Sequence, residues 1–67
     1  MIKNLKILRK SRKVTLKTLG LAIGKTTGAI SQIENNMTNC TIETLIKIAK
    51  FFNVSTDYLL GLKETEN

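Results

Sequence analysis

The stretch LGLAIGKTTGAISQIENN, from Leu19 to Asn36, sets small residues, a glycine and two isoleucines at the spacing of a helix, a sharp turn and a second helix. Gly20 stands where two helices cross closely, and Gly24 lets the chain take the positive φ of a tight turn. Ile30 and Ile33, three residues apart, anchor the second helix from beneath. Thr26, Thr27, Gly28, Ser31 and Gln32 are left on its outer side, the arrangement by which a helix offers side chains to a DNA groove.

Charge points the same way. The chain carries a net +6 over 67 residues, and the balance is uneven. Lys3, Lys6, Arg9, Lys10, Arg12, Lys13, Lys17 and Lys25 all precede the first acid, Glu34, whereas Glu43, Asp57, Glu64 and Glu66 lie in a roughly neutral second half. Alone, such a run reads as a solvated lysine-rich face. Beside a helix, turn and helix it reads as a phosphate-binding footprint.

Composition excludes several classes. Cys40 is the single cysteine and there is no histidine, so one chain holds neither a disulfide nor the common zinc and catalytic-triad constellations. A lone thiol suits a reducing cytoplasm, and Cys40 is most simply a small apolar loop residue. No run approaches the roughly 20 apolar residues of a membrane span, and MIKNLKILRK is no signal peptide. The expectation is a cytoplasmic domain over residues 1–62 with a frayed polar tail over 63–67. At this size folding buries only roughly 60% of the unfolded chain's surface, so one small core must suffice or lean on a partner subunit.

Periodicity predicts an all-α fold of five helices. Ile2, Leu5 and Leu8 stripe the first, which Val14 and Thr15 end. Thr15 caps a second, with Leu16, Leu19 and Ile23 facing inward until Gly24. Thr26 caps a third, which finishes at Asn35 and Asn36, residues that tolerate the left-handed conformation. After a loop over 37–40, Thr41 caps a fourth helix in which Ile42, Leu45, Ile46, Ile48, Ala49 and Phe52 form a broad apolar face, with Glu43 favourably placed in its first turn. Asn53 breaks it, and Ser55 caps a short fifth helix that ends at Gly61.

Four segments in this order resemble the lambda-repressor-like Cro/repressor, or xenobiotic response element, helix-turn-helix family over nearly the full chain. They are LRKSRKVT (8–15), Ile23-Gly24, ISQIEN (30–35) and IETLIKIAKFFNVSTDYLLGL (42–62). The resemblance implies a compact five-helix DNA-binding domain. It places Thr27, Gly28 and Gln32 against base edges in the major groove, flanked by Thr26 and Ser31. Gln32 suits bidentate pairing with an adenine, and Thr27 offers a hydroxyl or a methyl. Gly28 departs from the long polar residue usual there and brings no side chain to the readout.

The same resemblance places Lys17, Lys25, Asn35, Arg9 and Thr38 near phosphates. Leu16 stands where the family usually has a phosphate-touching glutamine, a role that passes to Lys17, and the loop after Asn35 lacks the usual basic residues. The pair matching Arg9 and Glu34 joins the first helix to the end of the recognition helix in relatives, a fold-locking role suited to a planar guanidinium. In relatives the fifth helix and its flanks meet across a two-fold axis. Phe51, Tyr58 and Leu62, apolar residues left over by so small a core, are the expected patch.

The reading is a sequence-specific DNA-binding transcriptional regulator, a repressor that binds a palindromic operator in double-stranded DNA as a homodimer. It predicts no enzymatic activity, cofactor, metal, membrane attachment or small-molecule ligand. An antitoxin-type protein that also binds a protein partner uses the same fold and stays open, though no long extra segment is present to wrap a toxin. A membrane-surface role for the basic first helix lacks Trp or Phe on its apolar face.

Overall fold

Local hydrogen bonding accounts for where the helices start. In the computed structural model, which describes residues 2, 4–35 and 40–66, they are α1 (Leu5–Ser11), α2 (Leu16–Ile23), α3 (Thr27–Glu34), α4 (Ile42–Phe52) and α5 (Thr56–Leu60). Thr15, Thr26, Thr41 and Ser55 each hold an extended backbone conformation, and their hydroxyls accept from the amides of Thr18, Ala29, Thr44 and Tyr58. Each such cap stabilises its helix by about 1 kcal/mol. The start of α1 is built differently: the Asn4 side-chain amide donates to the Tyr58 carbonyl at 2.6 Å and its backbone N–H to Leu59, which fastens α1 to α5.

The helix ends share one device. Lys13, Gly24, Asn53 and Gly61 all sit at positive φ, between 56° and 82°. The next residue's amide in each case reaches back five residues: Val14 to Arg9, Lys25 to Gly20, Val54 to Ala49 and Leu62 to Asp57. These are Schellman turns, which satisfy carbonyls the helix leaves unpaired. The first of them ends α1 at Ser11, so Val14 and Thr15 lie beyond the helix rather than closing it. Of the two residues able to take the left-handed conformation at the end of α3, Asn35 has φ −96° and its side-chain amide caps the Ser31 carbonyl at 2.9 Å, and Asn36 lies outside the described residues.

Ile2, Leu5, Leu8, Leu19, Ile23, Ile30, Ile33, Ile48, Phe52 and Leu59 converge on one core. Burying each large aliphatic contributes about 1.5–3 kcal/mol. The face expected on α4 is narrower than the sequence suggests, because Ile42 is 77% and Ile46 42% exposed. At about 100° per residue these two sit together on one edge of the helix, away from the arc of Thr44, Ile48 and Phe52 that meets the core. The tail also turns back: Glu66 accepts the Ser55 amide through its carbonyl at 2.8 Å and pairs with Arg12 at 2.6 Å. No helix among the described residues is long and apolar enough to cross a membrane.

Candidate nucleic-acid interface

α2 and α3 are held at a fixed angle by a short turn whose tightness is set at Gly20. A Cβ built there would lie 2.5 Å from the Lys25 carbonyl oxygen, so the close approach is to the turn itself rather than to a crossing helix. Gly24 supplies the left-handed residue at φ 76°. With Ile30 and Ile33 buried beneath, α3 is fixed against rotation about its own axis.

That rotation decides which residues can meet a partner. Taking Thr27 as the origin and about 100° per residue, the outer arc of α3 runs through Thr27, Ser31, Asn35, Gly28 and Gln32 over about 140°. Thr27, Gly28, Gln32 and Asn35 are exposed and Ser31 is half-buried, whereas Ile30 and Ile33 occupy the opposite side. The structure thus brings the expected base-facing residues onto one surface. The Thr26 hydroxyl oxygen accepts from Ala29 at 3.1 Å, so it serves the helix end, with its proton left to donate outward.

Among the expected phosphate contacts, Lys17 and Lys25 are exposed and have no ion-pair partner among the described residues. Asn35 is exposed too, with its amide N–H spent on Ser31. Thr38 lies outside the described residues. Arg9 is placed differently: its side chain is 12% exposed, its Nε and Nη2 donate to Glu34, itself 3% exposed, and its Nη1 donates to the Val14 carbonyl at 2.9 Å. The guanidinium thereby clamps the end of α1, the following turn and the end of α3 together. It fixes α3 from behind.

Lys25 and Gln32 also border a groove with Cys40 and Thr41, at the junction of α3 and α4. Sequence reading did not bring these residues together, since nothing local relates position 25 to position 40. Partial burial pushes the Cys40 thiol pKa up, and the nearby Lys25 charge offsets this in part.

The expected dimer residues line different grooves. Phe51, 39% exposed and stacked edge-on against Phe52, lines a groove with Ala22, Ile23, Lys47 and Lys50. Tyr58 is half-buried against the core and lines another with Asn4, Gly61, Lys63 and Glu64, while Leu62 stands 73% exposed.

Residues 5–59 match the helix-turn-helix family, a span that runs from the first residue of α1 to the last but one of α5. The chain belongs to the Cro/C1-type helix-turn-helix family. The family is one of DNA-binding regulators and not of enzymes. Among solved structures this helix-turn-helix chain is similar to the P22 c2 repressor, crystallised in complex with synthetic operator 9T in the presence of Tl+. The two share 35% identity, with a TM-score of 0.79 over 85% of this chain and 86% of that one. No curated protein sequence matches the chain.

Proposed function

We propose that this protein is a sequence-specific transcriptional repressor that binds a two-fold-related operator in duplex DNA as a homodimer. The observation that carries the reading is the outer arc of α3. A helix locked from beneath by Ile30 and Ile33 and from behind by the Arg9–Glu34 clamp presents Thr27, Gly28, Ser31 and Gln32 outward, with Lys17 and Lys25 uncompensated on α2 and the turn. An amide at Gln32 recognises the N6 and N7 edge of adenine, and a hydroxyl or methyl at Thr27 meets a neighbouring base. The exposed lysines supply the sequence-independent attraction to phosphate. Similarity to a repressor crystallised on its operator supports the same docking.

Two copies are needed because one short helix reads few base pairs. A two-fold pairing through the C-terminal part of the fold, with Leu62, Tyr58 and Phe51 as contact residues, sets two recognition helices about 34 Å apart, one turn of DNA. Selection from random duplexes at a fixed salt concentration tests all of this at once. The expected product is an inverted repeat of short half-sites, whose affinity falls steeply as salt rises. A selected site without two-fold symmetry, or a salt slope near zero, overturns the reading.

A further inference from the structure

Gly28 is the one glycine on the outer arc of α3, and the fold does not require it there. It is the second residue of α3 and has ordinary helical backbone, since only Gly24 and Gly61 among the described glycines take positive φ. A Cβ placed on it would meet only the Thr26 hydroxyl, at 4.0 Å, which is ordinary contact at most. Gly20, by contrast, has no room for a Cβ. An alanine at 28 is therefore sterically free and favours the helix, because glycine loses more backbone entropy on folding than any other residue. Nothing among the described residues offsets that loss.

Ser31 and Gln32 stand three and four residues further along, so their side chains rise beside position 28, and Thr27 flanks it. Among them the bare Cα leaves a notch near the N-terminal end of the exposed face. We propose that Gly28 is a specificity-determining residue: the notch is where the backbone of α3 makes its closest approach to the base edges, and any side chain there holds the helix away from them. This rests on the DNA-binding reading above. The missing side chain then acts through its neighbours, since Gln32 reaches its base only if the helix seats fully in the groove.

The test compares wild type with Gly28→Ala and Gly28→Leu, each melted without DNA and each titrated with two probes, the duplex recovered by selection and a random duplex of equal length. Gly28→Ala should melt higher, by less than the roughly 4–8 °C that the full interior gain in helix propensity gives in a domain of this size, because position 28 is in the first turn. Its affinity for the selected duplex should nevertheless fall at least tenfold, with a further fall for Gly28→Leu, while binding to the random duplex changes less than twofold. Affinity for the selected duplex unchanged or improved in both variants would overturn the proposal, as would equal losses on both probes, because the close approach would then not be to bases. A lower melting temperature for Gly28→Ala would overturn its premise that the fold leaves the position free. A wild-type protein that binds neither duplex removes the DNA-binding reading, whereas tight wild-type binding with indifferent variants removes only the role of Gly28.

Discussion

Replacing Glu34 by alanine should cost this domain a large share of its stability, with no DNA present. The Glu34 carboxylate accepts from both Nε and Nη2 of Arg9, at 2.5 and 3.3 Å, and the two side chains are 3% and 12% exposed. Exposed ion pairs contribute only about 0.2–1 kcal/mol, but removing one partner of a buried pair costs about 3–5 kcal/mol because the other charge is stranded. Arg9 keeps its bond to the Val14 carbonyl and sits near enough to the surface to regain some water, which places the loss at the lower end, about 3 kcal/mol. For a chain this short the total stability is on the order of 3–10 kcal/mol. At about 4–8 °C per kcal/mol, a 3 kcal/mol loss lowers the midpoint by about 12–24 °C. Thermal melting followed by circular dichroism, run on wild type, Glu34→Ala, Arg9→Ala and the double variant, reads both the loss and the coupling. A drop under about 3 °C, or single-variant losses that simply add, would refute the argument that this pair is buried and bidentate.

Four further outcomes follow from the same geometry. Gln32→Ala should cost about 1–3 kcal/mol at one base pair per half-site, whereas Lys17→Ala should weaken all duplexes alike and reduce the salt slope by about 1; filter binding over a salt series separates them, and equal losses on selected and random DNA for Gln32→Ala would show that α3 is wrongly oriented. Gly20→Ala should lower the melting temperature despite alanine's better helix propensity, since the new Cβ meets the Lys25 carbonyl at 2.5 Å and overpacking costs about 1–3 kcal/mol; a rise in calorimetry would mean that the turn yields. Leu62→Asp, at a position 73% exposed, should leave a folded chain that sediments as a monomer and binds the selected duplex weakly, because a carboxylate placed in an apolar contact is unpaired; one wild-type monomer per saturated inverted repeat would exclude that interface. With its thiol pKa raised by burial, Cys40 should be alkylated more slowly in the folded chain than in urea at pH 8, and Lys25→Ala should slow it further by removing the charge that opposes the shift; folded and unfolded rates that coincide would place the thiol in open solvent.

What sequence by itself determined is local. Thr15, Thr26, Thr41 and Ser55 cap the helices they precede because a hydroxyl reaches an amide three residues on, within one turn and without help from the rest of the fold. The stripes through Leu5 and Leu8 and through Ile30 and Ile33 are equally local, and with Gly24 they suffice to present Thr27, Gly28 and Gln32 outward. The Arg9–Glu34 pair, 25 residues apart, was legible only through family resemblance. Tertiary structure alone decided the rest. Lys13 carries a left-handed turn with no glycine to announce it, because Val14 must reach the Arg9 carbonyl and pack on the core. Ile42 and Ile46 satisfy helical periodicity yet stay exposed, since periodicity says which residues share a face and not how wide a strip the neighbouring helices cover. Arg12 donates to the Phe52 carbonyl and pairs with Glu66, 54 residues away in sequence, and neither partner carries a local signal of the other. Those contacts, like the grooves that Phe51 and Tyr58 each line with residues distant in sequence, exist because packing a small core brings distant backbone ends together.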